Sequence, residues 1–201
     1  MTSPRRTGTE SSQTRAILLN VTERLMRQEG YAAVSSRSVA KAAGVTPALI
    51  HYYFPTLDDL FLAVFRRGAE KNLERHARIL ASAQPLRALW EFSIEPASTS
   101  LLTEFMALAN HRKSIRDEIA QYSRKFRRQQ AELLASRLSD YGINPDEVPP
   151  AALLFLIGAV SGSFVAEDQL GLTDGHAETR DLVERLLRRF EGASPAAHDG
   201  S

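Results

Sequence analysis

The chain has 201 residues, 43% of them hydrophobic, and no cysteine. That is enough apolar sequence for a buried core and one or two domains, and the missing cysteines exclude disulfides and thiolate metal sites and suit a reducing compartment. The net charge of +1 conceals an uneven spread, +4 over residues 1–54 and −3 over the rest, so the front of the chain is the part suited to a polyanion.

Residues 1–12 are polar, contain Pro4 and Gly8 and lack periodicity. They read as a disordered arm, either a loose end or one from which Arg5 and Arg6 reach a neighbouring minor groove. No apolar h-region follows Arg5 and Arg6, so no signal peptide is expected. From Gln13 to Glu29 the residues Ile17, Leu18, Val21, Leu25 and Met26 form a helical stripe that Gly30 ends. Ser35 is placed to cap a short helix carrying Val39, Ala40 and Ala43, and Gly44 can end it with a positive φ. Thr46 and Pro47 then open a second helix that stops at Pro55. Helix, tight glycine turn and helix make a helix-turn-helix, whose second member shows Thr46, His51, Tyr52 and Tyr53 on its outer side.

Thr56 caps a long helix from about Leu57 to about Leu80, with Leu60, Phe61, Val64 and Phe65 on its early apolar face. Gln84-Pro85 breaks the chain after it. Five further helical patterns follow, beginning at Leu86, at Leu101, at Ile115, at Ala151 and near Leu182. The third has room for a bend midway. The run Ala151 to Ala166 is shorter than the ~20 residues of a membrane span, so no membrane segment and a cytoplasmic protein are expected. No strand or internal repeat is visible. The fold class is therefore all-α, with about nine helices.

Val39-Ala40, Ala43-Gly44-Val45-Thr46 and Leu49-Ile50-His51-Tyr52-Tyr53-Phe54, followed by Leu60, resemble the N-terminal domain of the tetracycline-repressor (TetR) family. The resemblance covers roughly a quarter of the chain and implies a homodimeric, ligand-responsive transcriptional regulator. It implies DNA contacts from Arg37, Thr46, Pro47, Ala48, Leu49, His51, Tyr52 and Tyr53, and Lys41 is a further candidate phosphate contact. Two positions depart from the family pattern. His51 stands where Tyr is usual, and Leu57 where Lys is usual, so a charged phosphate clamp is missing. Free N–H groups at the start of the fourth helix could hold that phosphate instead.

Each of these residues also has a plainer reading. Arg37 and Lys41 could be solvated helix charges, and Tyr52 and Tyr53 could be packing residues. Arg is the better choice for DNA because it offers a bidentate fork as well as charge. His51 lacks a partner at helical spacing for a metal, and no metal or cofactor is expected. Ser38-Val-Ala-Lys41 matches an S-x-x-K pattern, but the other motifs and the sheet of that enzyme fold are missing. Nothing groups a base, a nucleophile and an orienting residue, so no enzyme is expected.

The C-terminal helices offer an effector site and a dimer face. Gln129 and Gln130 interrupt the stripe of Ile119, Tyr122, Phe126 and Leu133, so at least one amide faces inward. It is either a satisfied core residue or an orienting contact in an apolar pocket. Trp90, Phe105, Met106, Tyr122, Phe126 and Phe155 are the candidate walls. The basic belt from Arg112 to Arg128 reads as a solvated face. Gly158 and Gly162 allow close helix approach, and with Leu182, Leu186 and Phe190 they form the expected dimerisation face.

The expected organisation is a disordered arm at 1–12, a helix-turn-helix DNA-binding domain at 13–56 and a connecting helix at 57–84. An effector-binding and dimerisation domain at 85–191 and a disordered tail at 192–201 complete it. The expected function is a sequence-specific DNA-binding regulator, a repressor released by a small, largely apolar effector. Its partners are double-stranded DNA with a near-palindromic operator, the effector and a second copy. The alternative is a helical small-molecule-binding protein with a vestigial head.

Overall fold

The computed structural model describes residues 4–168 and 170–192, without the side chains of residues 4–11 and 96–100. Residues 193–201, where all but the first residue of the expected tail falls, lie outside the described part. Among the described residues there are nine α-helices, one short 3-10 helix (Tyr31–Ala33) and no strand. The order is α1 (Pro4–Glu29), α2 (Ser36–Ala43), α3 (Pro47–Tyr53), α4 (Leu57–Leu80) and α5 (Pro85–Ser93). After these come α6 (Pro96–His111), α7 (Lys113–Asp140), α8 (Pro150–Asp168) and α9 (His176–Glu191).

One helix departs from expectation. Helix α1 begins at Pro4 rather than Gln13, so helix occupies most of the expected arm. Those first turns contain no apolar residue after Pro4, and a hydrophobic period cannot report a turn that has nothing apolar in it. The side chains of Arg5 and Arg6 lie outside the described residues. Helix α7 is a single α-helix of 28 residues.

The chain forms two compact units. Unit 1 comprises Met1–Asn72 and Ser100–Ser123, and unit 2 comprises Leu73–Thr99 and Arg124–Ser201. The division falls inside α4 and again inside α7, not at the expected boundary between residues 84 and 85. The reason is the apolar face of α6 and early α7. Leu101, Phe105, Leu108, Ile115 and Ile119 pack into the same core as Leu18, Met26, Val39, Ile50, Phe61 and Val64. Phe65 meets Phe105 and Tyr122 edge-on, at 5.2 and 5.4 Å between ring centres. Truncating one of these leucines to alanine would cost about 2–5 kcal/mol.

Unit 2 has its own core of Leu80, Leu86, Trp90, Leu134, Leu138, Phe164 and Leu187. Its helices are also tied by charge. Arg87, 6% exposed, holds Glu184 at 2.5 Å. Arg87, helped by Arg188, keeps the Glu184 carboxyl down at about 2. Glu191 accepts the backbone N–H groups of Leu86 and Arg87 at 2.7 and 2.9 Å, placing a carboxylate at the start of α5.

Candidate nucleic-acid interface

Local chemistry sets the helix-turn-helix. The Ser35 hydroxyl accepts the Ser38 N–H at 3.1 Å, and the Ser38 hydroxyl oxygen accepts the Ser35 N–H at 2.8 Å. This reciprocal box caps α2. The Ser38 hydroxyl also donates to the Ala33 carbonyl at 2.9 Å, so the serine of the S-x-x-K pattern serves the cap. Gly44, at φ +68°, ends α2 in the left-handed region where a side chain would be strained. Pro47 opens α3.

Thr46 stands at the N-cap of α3, but its hydroxyl accepts no capping hydrogen bond. The Leu49 N–H, which it would accept, goes to the Thr46 carbonyl at 3.0 Å instead. The hydroxyl is left for another partner.

The pair of helices is two-sided. Val39, Ala40, Ile50 and Phe54 are 3% exposed or less and seal it onto the unit 1 core. Arg37, Lys41, Thr46, Pro47, Ala48, His51 and Tyr52 are exposed, Tyr52 by 77%. Neither Arg37 nor Lys41 pairs with a carboxylate among the described residues. Leu49 and Tyr53 are half-buried; Tyr53 packs against the core and meets the Tyr52 ring edge-on at 5.2 Å. Seven of the nine expected DNA-contact residues thus stand open to solvent, and the other two are half-buried.

The start of α4 is capped by its own side chains. Thr56 and Asp59 cap each other: the Asp59 carboxylate accepts the Thr56 N–H at 2.9 Å, and the Thr56 hydroxyl oxygen accepts the Asp59 N–H at 3.1 Å. Asp58 accepts from Arg112 and from the Ser114 hydroxyl, the latter at 2.8 Å. Burial pushes the Asp58 carboxyl up, but Ser114 and Arg112 outweigh it and hold it below its usual range. Of the N–H groups at the start of α4, those of Thr56 and Asp59 are thus taken up within the cap.

The expected effector residues divide between the units. In unit 1, Phe105 is core at 2% exposed, Tyr122 is half-buried, and Met106 faces solvent at 54%. In unit 2, Trp90 packs in the core beside Phe164, with ring centres 6.0 Å apart, and Phe155 is 66% exposed. Met106 and Phe155 therefore do not line a closed pocket in this chain, because each turns to the outer side of its helix. Of the two glutamines, Gln130 is the buried one. Its amide lies 2.5 Å from His76 Nδ1, and the His76 ring meets Phe92 and Phe126 edge-on. Gln129 is half-buried. An open groove of about 480 Å³ lies on unit 1, lined by Asn20, Glu23, Arg24, Arg27, Gln28 and Lys71, none of them among the expected effector residues.

The expected dimerisation residues are uncovered. Leu182, Leu186 and Phe190 are 50%, 48% and 38% exposed, and a Cβ built on Gly158 or Gly162 would meet nothing within 4 Å. Helix α8 extends one residue before and two beyond the apolar run seen in the sequence. At 19 residues it is long and apolar enough to cross a membrane by length and composition alone. No group of three or more His, Cys, Asp or Glu side chains among the described residues is placed to hold a metal.

Sequence reasoning missed Asp58, Glu104, Arg112 and Ser114, which surround the helix-turn-helix, and His76, the partner of Gln130. No periodicity signals a polar contact between distant helices. The threonine three residues before Asp59 was the one local sign at the start of α4.

An all-helical chain whose first unit presents an open, polar helix-turn-helix has the architecture of a DNA-binding regulator. Residues 18–64 match the profile of bacterial regulatory proteins of the tetR family. The HTH-type transcriptional regulator AcrR of Shigella flexneri is 33% identical over 104 residues, which is 50% of this chain and 47% of that protein. The chain thus matches about half the length of this curated relative. A transcriptional regulator from Rhodococcus sp. Rha1 superposes with a TM-score of 0.66 at 21% identity, covering 90% of this chain and 99% of that one. A putative transcriptional regulator from Saccharomonospora viridis, solved in complex with choline, gives 0.68 at 22% identity, covering 86% and 96%. Residues 18–64 of this chain are thus similar to the tetR family of bacterial regulatory proteins, and the fold is similar to that of the two solved regulators.

Proposed function

We propose that the protein binds a near-palindromic double-stranded DNA operator as a homodimer and acts as a cytoplasmic repressor released by a small, largely apolar effector. One observation carries this reading. The helix-turn-helix is sealed on one side by Val39, Ala40, Ile50 and Phe54, while Arg37, Lys41, Thr46, His51 and Tyr52 stand exposed. Arg37 and Lys41 supply charge for phosphates, and Arg37 can also make a bidentate base contact. Thr46, His51 and Tyr52 add hydrogen-bonding groups from the reading helix.

A twofold dimer would set two such helices one DNA turn, ~34 Å, or a multiple apart. The uncovered apolar faces of α8 and α9 support that assembly. Phe126, Gln129, Gln130 and Trp90 of unit 2 are the residues we assign to effector contact. The choline complex of the Saccharomonospora viridis regulator supports a small organic ligand in a chain of this fold. Release requires the effector to bind one packing of the protein more tightly than the other.

The test is selection of a duplex from a random pool, followed by titration of the enriched site. Arg37→Ala should weaken binding to that site by about 1–3 kcal/mol if Arg37 reads a base. Affinity should also fall steeply with salt, as counterion release demands. No enriched sequence, or binding indifferent to salt, would contradict the proposal.

A further inference from the structure

The helix-turn-helix has one way in and one way out along the chain, and both are fastened to the same corner of unit 1. On the way in, Gly30 at φ +81° turns the chain sharply at the end of α1. The Tyr31 N–H that follows donates to Glu104 Oε2 at 2.7 Å. The Tyr31 ring also stacks against His111, with centroids 6.4 Å apart. On the way out, Asp58 in the first turn of α4 accepts from Arg112 and from the Ser114 hydroxyl. Glu104 and His111 lie on α6, Arg112 is the single residue joining α6 to α7, and Ser114 is the second residue of α7. Eleven consecutive residues, 104–114, thus hold the chain on both sides of α2 and α3.

The two fasteners are of a strong kind. Both use a carboxylate as acceptor, and charge-assisted hydrogen bonds of this sort are roughly twice as strong as neutral ones. The Tyr31 N–H lies ahead of the first 3-10 turn and has no intrahelical acceptor, so losing Glu104 would leave a half-buried donor unpaired. The apolar packing of α6 does not depend on Glu104, because Leu101, Phe105 and Leu108 supply it. Removing the carboxylate should therefore loosen orientation more than it loosens the fold.

We infer that Glu104, with Arg112 and Ser114, positions the reading helix, so that the α6–α7 corner sets the orientation in which α2 and α3 meet DNA. A displacement of α6 then reaches the helix-turn-helix from both ends by polar contacts, without first bending α4. The inference rests on the DNA-binding reading proposed above. Its residues touch no DNA themselves; they act through the backbone at Tyr31 and the carboxylate of Asp58.

The experiment uses the full chain and two duplexes, the site enriched by the wild-type protein and a scrambled duplex of the same length. Glu104→Ala should lose about tenfold on the enriched site and less than about twofold on the scrambled one, with the salt dependence unchanged. Glu104→Gln, which keeps a carbonyl acceptor for Tyr31, should stay within about threefold of the wild type on both. Wild-type affinity for Glu104→Ala on the enriched site, or an equal loss on both duplexes, would overturn the inference and leave the DNA-binding reading standing. If the wild type enriches no site, the DNA-binding reading fails first and the inference falls with it. Should Glu104→Ala melt below the assay temperature, Arg112→Ala tests the second fastener, with the same expected and contradicting results.

Discussion

His76 shows how one buried side chain ties stability to pH. It is 8% exposed, with Phe92 and Phe126 edge-on to its ring and Gln130 against Nδ1. Burial, aided by the neighbouring charge of Arg75, pushes its pKa down to about 4. An unfolded histidine titrates near ~6.5. The folded state therefore favours the neutral ring. The associated stability is complete above about pH 6.5 and is lost as the pH falls toward 4. His76→Gln removes the titrating group. Between pH 7 and pH 4.5 the wild type should lose about 2–3 kcal/mol more than the variant in urea unfolding. Parallel losses in the two proteins would show that His76 does not carry the effect.

At the scale of elements, the local signals were the readable ones. Ser35, Gly44, Pro47 and Thr56 announce helix starts and stops by their own chemistry, and the structure places α2, α3 and α4 where they indicate. Thr46 is the partial exception, because its carbonyl took the amide that its hydroxyl was expected to accept. Helices α8 and α9 leave apolar side chains uncovered. Only 17% of the most apolar window of α8 is buried, and Phe155 and Leu156 are 66% and 59% exposed. A second copy covering these faces would give the proposed dimer. Sedimentation should then show a particle of twice 22.3 kDa for the wild type, and Leu186→Glu should shift it toward the single chain. A wild-type monomer at all concentrations, or an unaltered dimer in the variant, would remove α9 from the interface.

For the whole molecule, fold class and helix order could be read from apolar periodicity, but the division into units could not. The sequence places Leu101, Phe105 and Ile119 on apolar stripes without saying which core each stripe joins. They join that of the helix-turn-helix, which splits the expected effector residues between two units. The DNA-facing surface was more legible than the effector site because a short motif fixes its geometry. An effector pocket depends on contacts between helices far apart in sequence. The exposed side of α3 is the surface proposed to lie against DNA. Hydroxyl-radical labelling of the protein with and without its enriched duplex tests this most directly. Tyr52, 77% exposed in the free chain, should become strongly protected, together with His51. If the protein bound the duplex while Tyr52 and His51 stayed as reactive as in the free chain, some other surface would be reading the DNA.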